Sequence, residues 1–125
     1  MILCDTNIFI HAFAKHQATI EALREIGFAN VVLSTVSVME LYRGMGNKQE
    51  LAEMQKKIRY YDISHLNESI SSVAIDLLLR FKLSHDLQIP DALIGATAIT
   101  NGLPLFTYNV KDFSFMPGLI LYQPA

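Results

Sequence analysis

Met1-Ile2-Leu3-Cys4-Asp5-Thr6-Asn7 opens the chain with four apolar residues and then an acid. Four is too few for a helix. With no polar residue alternating among them, they read as a strand buried on both faces that ends at Asp5. Asp5, Thr6 and Asn7 directly precede the apolar-periodic run Ile8 to Phe13, which is the composition of a helix start. A carboxylate at a strand-to-helix turn of a parallel sheet stands where open α/β folds bind their ligands. A helix cap is the simpler role for a lone Asp in such a turn, because short polar side chains bond their own backbone there. Three further acids argue for more than a cap.

Outward from that turn, the chain alternates. Gln17 to Ile26 has Ile20, Leu23 and Ile26 at helical spacing, with Gly27 as a stop. Asn30 to Ser34 reads as a second buried strand, and Thr35 or Ser37 as the cap of a helix over Val36 to Gly44. In that helix Val38, Leu41, Tyr42 and Met45 share one face, and Glu40 points beside it, about a turn past the strand end. Taken alone, Glu40 would pair with Arg43 on the helix surface. Gly44 to Asn47 breaks the helix. Gln49 to Arg59 restarts one, with Leu51, Met54 and Ile58 inward and Lys48, Lys56, Lys57 and Arg59 outward.

Tyr60 to Ile63 is a short third strand. Asn67 caps a long helix whose core stripe is Ile70, Val73, Ala74, Leu77, Leu78 and Phe81. Pro90 suits the first position of a further helix that runs to Asn101 with Gly102 beyond it, so Asp91 falls in the first turn. There the helix dipole favours the ionised carboxylate. The small residues Ala92, Gly95, Ala96 and Ala98 let this helix approach the sheet closely. Leu103 to Thr107 is a fourth strand, Tyr108 to Phe113 the loop at its carboxyl end, and Leu119 to Tyr122 a last strand closing the sheet. Strands alternating with helices predict an α/β fold, a three-layer sandwich around a mostly parallel doubly wound sheet of four to five strands.

At 125 residues this is one domain, residues 1–125, able to bury a core without disulfides or a structural metal. The net charge of −2 provides no global positive field, so a nucleic-acid partner would need locally clustered bases. The single cysteine, Cys4, sits in the apolar first strand and reads as a small buried hydrophobe. Without a possible intrachain disulfide, and with no leader pattern or membrane-length apolar run, a soluble cytoplasmic protein is expected.

Asp5 and Asp112 follow strand ends, while Glu40 and Asp91 lie early in helices at the same edge, so all four can converge. Two carboxylates about 4 Å apart repel by roughly 4 kcal/mol at an effective dielectric near 20. A divalent cation relieves that conflict, and an all-oxygen donor set suits Mg²⁺ or Mn²⁺. Zinc would ask for His or Cys, and His11, His16, His65 and His85 have no zinc-binding spacing; they read as ordinary surface or core residues.

The segments Cys4-Asp5-Thr6-Asn7, Ser37-Val38-Met39-Glu40-Leu41, Ile89-Pro90-Asp91-Ala92-Leu93-Ile94 and Thr107-Tyr108-Asn109-Val110-Lys111-Asp112-Phe113, in that order, closely resemble PIN-domain ribonucleases. The compact length resembles the VapC-type toxins of prokaryotic toxin–antitoxin pairs. The resemblance implies a metal-dependent endoribonuclease whose acids correspond to Asp5, Glu40, Asp91 and Asp112. Thr6, Asn7, Thr107 and Asn109 would support them. Many relatives carry an acid where this chain has Asn109, so Asp112 supplies the fourth carboxylate. Arg43, Lys48 and Lys111 are the candidate RNA-backbone contacts. An antitoxin that covers the site with an Arg or Lys, and a homodimer, are also implied.

Two rival functions differ in class. A phosphatase with an Asp nucleophile also places an Asp after its first strand, but wants a second acid where Asn7 stands. A binding module that kept the fold without chemistry would use the acid pocket to accept a basic side chain, and the intact set of four acids argues against it.

Overall fold

β1 (Ile2–Cys4), β2 (Val31–Ser34), β3 (Asp62–Ser64) and β4 (Leu105–Phe106) form one parallel sheet in the spatial order β3-β2-β1-β4. The computed structural model describes residues 1–125. The chain steps outward from β1 through β2 to β3, then returns to the other side of β1. Strand order therefore reverses between β1 and β4, which opens a crevice beyond their carboxyl ends.

Alternating side chains of these strands feed two cores. Leu3, Val32 and Leu105 face α5 (Glu68–His85) and α6 (Ile89–Asn101), together with Phe113 and Met116. Cys4, Val31, Leu33 and Phe106 face the opposite way, toward α1 (Thr6–Phe13), α2 (Gln17–Ile26) and α4 (Lys48–Ile58). The strict period of two divides one apolar run between both faces, as a central strand of a three-layer sandwich requires. α3 (Thr35–Arg43) contributes to both cores, Val36 to one and Leu41 to the other. No helix is long and apolar enough to cross a membrane.

Helix starts follow local chemistry. Asn67 caps α5 by accepting the Ile70 amide at 2.9 Å, and Asn47 caps α4 by accepting the Glu50 amide at 2.9 Å. Pro90 stands in the first turn of α6, and Gly102 ends that helix in the left-handed region at φ 63°. For α3 the cap is Ser34, the last residue of β2, whose hydroxyl accepts the Ser37 amide at 3.1 Å. Neither Thr35 nor Ser37 caps it, because strand and helix abut with no linker.

Three further expectations are corrected. β3 lies at Asp62–Ser64, later than Tyr60 to Ile63, because α4 and its closing turn take up Tyr60 and Tyr61. Leu51 is 41% exposed, so only Met54 and Ile58 of α4 are buried. Leu119 to Tyr122 forms no strand and makes a single parallel bridge between Leu121 and Leu105. On α6, Gly95 makes room for Met116, since a Cβ there would lie 2.3 Å from the Met116 sulfur, while Ala92, Ala96 and Ala98 are buried in one cluster with Leu3, Val32 and Leu105 of the sheet.

Candidate active site

Asp5 follows β1 and caps α1. Its backbone N–H still belongs to the sheet, donating to the Phe106 carbonyl at 2.9 Å. Its side chain has already begun the helix, Oδ1 accepting the Thr6 amide at 2.8 Å. Oδ2 turns across the crevice and accepts the Thr107 hydroxyl at 2.8 Å. The carboxylate is thus fixed at both oxygens and only 5% exposed. The Thr107 oxygen also accepts the Asn109 amide at 3.0 Å, so the loop after β4 is tied to the same carboxylate. Asn7 joins the loop as well, its side-chain oxygen accepting the Tyr108 amide at 3.4 Å.

Glu40 is held from the other side. The Thr6 hydroxyl lies 2.7 Å from Glu40 Oε1 and 2.8 Å from Ser37 Oγ. Thr6 has one hydroxyl proton, and an ionised carboxylate can only accept, so Thr6 donates to Glu40 and accepts from Ser37. Ser37 in turn lies 3.3 Å from the Ser34 hydroxyl. This buried hydroxyl chain orients Glu40 toward the carboxyl edge of the sheet. Arg43 does not pair with Glu40. The ion pairs of the molecule are Arg24–Glu21, Arg80–Asp76 and Lys82–Asp86, all local and exposed.

Asp91 lies in the first turn of α6 and is partly buried. It shares a polar cleft of about 350 Å³ with Asp112, His85, Asp86, Leu87 and Gln88. Asp112 is exposed, at the end of the short 3₁₀ turn Val110–Asp112. Burial first, then the charges of Asp5, Asp112 and Glu40, push the Asp91 carboxyl up to about 6. Burial also raises Asp5, the hydrogen bonds from Thr107 and Thr6 draw it back, and Glu40 and Asp112 raise it again. The four acids therefore act on one another, and none has a basic partner.

That donor set fits a hard divalent cation, all oxygen and in excess negative charge. The side chains nevertheless do not close into a group of three or more at ligand spacing. Thr6 and Thr107 instead hold Glu40 and Asp5 by hydrogen bonds that leave their remaining lone pairs free. Of the candidate basic residues, Arg43 lines a small surface cleft with Glu40 and Gly44. Lys48 opens α4 and Lys111 lies in the turn beside Asp112, both exposed. Cys4 is a buried free thiol whose pKa is raised by burial, in keeping with a packing role.

Sequence reasoning missed Ser37 as a support of Glu40. The available signal was its place one turn before Glu40 on the same helix. A model of the family described as "PIN domain" matches residues 2–117. The chain belongs to the PIN domain family. Ribonuclease VapC2 of Rickettsia felis is 28% identical over 128 residues, covering 95% of this chain and 94% of its own. Among solved structures, a toxin–antitoxin complex from Klebsiella pneumoniae contains a chain with TM-score 0.81 and 26% identity, covering 100% of both chains. VapBC2 from Rickettsia felis, bound to a DNA fragment from its promoter, matches at TM-score 0.79 and 26% identity over 98% of both chains. This PIN domain thus shares nearly its whole length with those relatives.

Proposed function

We propose that this PIN domain is a divalent-metal-dependent endoribonuclease, the toxin of a type II toxin–antitoxin pair, with Asp5, Glu40, Asp91 and Asp112 as its metal-binding and catalytic acids. The observation that carries this reading is the set of unpaired acids at one sheet edge, where each raises the cost of ionising Asp91. A bound Mg²⁺ or Mn²⁺ supplies neutralising charge and the Lewis acidity that makes water a nucleophile near neutral pH.

The chain's own residues do the positioning. Thr107 and the Thr6 amide hold Asp5 rigid, and the Thr6 hydroxyl aims Glu40. The N-terminal end of α6 stabilises the ionised form of Asp91 against its neighbours. Asp112, on an exposed turn, can adjust to the substrate side. Arg43, Lys48 and Lys111 contact the RNA backbone and set its register without reading sequence. Rigid placement of these groups removes reorganisation from the reaction step.

The antitoxin reading rests on the relatives, which are solved as toxin–antitoxin complexes. It is supported by a groove of about 500 Å³ between α1, α3 and α4, lined by Ile10, Phe13, Leu41, Met45 and Met54 with Glu40 among its walls. An apolar segment seated there can extend an Arg or Lys to the acids. A homodimer is supported by the outward stripe Ile75, Leu79 and Leu83 on α5, which is exposed by 61%, 81% and 101%.

The test is RNA cleavage by the purified protein with EDTA, and again after Mg²⁺ or Mn²⁺ is restored. Cleavage that depends on the cation and is silenced by the protein of the adjacent small reading frame supports the reading. Undiminished cleavage in EDTA contradicts it.

A further inference from the structure

His85 ends α5 and lines the cleft that holds Asp91 and Asp112, yet none of the acids bonds to it. The next residue, Asp86, has φ 50°, a left-handed conformation that Asp tolerates better than most residues. That break turns the chain from α5 into α6 and sets His85 and Asp91 around one cleft. The ring is held on two sides. Phe115 stacks on it with centroids 4.0 Å apart and planes at 23°, and Phe81 meets it edge-to-face at 5.6 Å and 79°. Phe115 lies three residues beyond Asp112, so the ring packs on the segment that carries that acid.

Ser84 takes one ring nitrogen, its hydroxyl lying 2.7 Å from Nδ1, and Nε2 has no partner. With that hydroxyl donating, a neutral imidazole carries its proton on Nε2, and a protonated ring carries one there as well. The cleft is otherwise poor in donors. Asp86, Asp91 and Asp112 only accept when ionised, Leu87 is apolar and buried, and no lysine or arginine lines the wall. Gln88 commits its amide to the Asp86 carbonyl at 2.8 Å, and Lys82 is paired with the Asp86 carboxylate. A phosphodiester drawn to a cation at these acids brings its own negative charge to a wall of carboxylates. His85 Nε2 is the uncommitted donor that meets it.

We propose that His85 is a further substrate-contacting residue of this nuclease, donating a hydrogen bond from Nε2 to a non-bridging oxygen of the phosphate to be cut. The proposal rests on the nuclease reading above and adds a residue to it. A hard cation is served by the carboxylate oxygens, which leaves the imidazole to the substrate. A hydrogen bond to a charged phosphate oxygen is about twice as strong as a neutral one, and it strengthens as negative charge builds there in the transition state. Stacking on Phe115 fixes the ring in advance, so little ordering accompanies that bond.

The test is RNA cleavage with Mn²⁺ by the parent and two variants, read as kcat and KM, beside calorimetric Mn²⁺ titration and urea unfolding of each. His85→Phe keeps a ring on Phe115 and removes the donor. It is expected to lower kcat/KM at least about tenfold, mostly in kcat, with Mn²⁺ affinity and unfolding unchanged. His85→Gln gives up the stack and returns an N–H near the place of Nε2, and is expected to recover cleavage to within about threefold of the parent. Equal cleavage by the parent and His85→Phe overturns the contact and leaves the nuclease reading intact. Equal losses in both variants overturn it too, by assigning His85 a proton transfer that an amide cannot perform. Weakened Mn²⁺ binding in His85→Phe overturns it by making the ring a ligand of the cation. A parent that cuts no RNA with any divalent cation overturns the nuclease reading and this contact together.

Discussion

Thr107 Oγ1 donates to Asp5 Oδ2 at 2.8 Å across the crevice between β4 and β1, joining residues 102 positions apart. The bond satisfies one oxygen of a carboxylate that burial has made costly to ionise. Thr107→Val keeps the shape and removes the donor, so Asp5 is raised further and the charged form loses support. A stability loss of about 1–3 kcal/mol at pH 7 is expected in urea unfolding, shrinking at pH 4 because acid shifts Asp5 toward its neutral form and burial favours that shift. An equal loss at both pH values would mean that the bond does not act through the charge.

Asp91 makes the metal-free protein less stable as pH rises. Its carboxyl titrates at about 6 in the fold against an ordinary value of 3.8, so between those values the folded chain binds more protons. Stability is fully supported below about 3.8, falls through that window, and has lost this contribution above about 6. The group is partly exposed, which discounts the effect to about 1 kcal/mol. In EDTA, Asp91→Asn is expected to flatten the decline. Mg²⁺ is expected to stabilise the parent at pH 7.5 and have little effect at pH 4.5, read by thermal unfolding.

Gly95→Ala tests the packing of α6 on the loop after β4. The new methyl would meet the Met116 sulfur at 2.3 Å, and Met116 is buried. Overpacking costs about 1–3 kcal/mol, against a helix-propensity gain of about 1 kcal/mol, for a net loss of about 1 kcal/mol. Urea unfolding of this variant and of Gly95→Ala with Met116→Ala checks it, since the second change frees the space.

Leu79→Glu puts a charge at the centre of the stripe Ile75, Leu79 and Leu83. Sedimentation equilibrium is expected to show a dimer for the parent and a weakened one for the variant, with unchanged helical circular dichroism. Identical association would place the contact between copies elsewhere.

The sequence made Asp5 and Asp91 legible because each follows a strong local signal, an apolar strand in one case and Pro90 in the other. Glu40 was legible by position but not by partner. A helix-surface rule pairs it with Arg43, whereas Thr6 reaches it from a turn 34 residues away. Ser37 was hidden because a serine near a helix start already has a sufficient explanation as a cap. The last strand failed for a similar reason: Leu119 to Tyr122 has the composition of a strand, but it makes only one bridge.

Calorimetric titration of Mn²⁺ into the folded parent and the Asp91→Asn variant tests the central claim without needing to know the RNA. Binding in the parent that is weakened at least about tenfold by loss of this one carboxylate is predicted. Mn²⁺ binding that is absent from the parent, or equal in both proteins, would contradict the account.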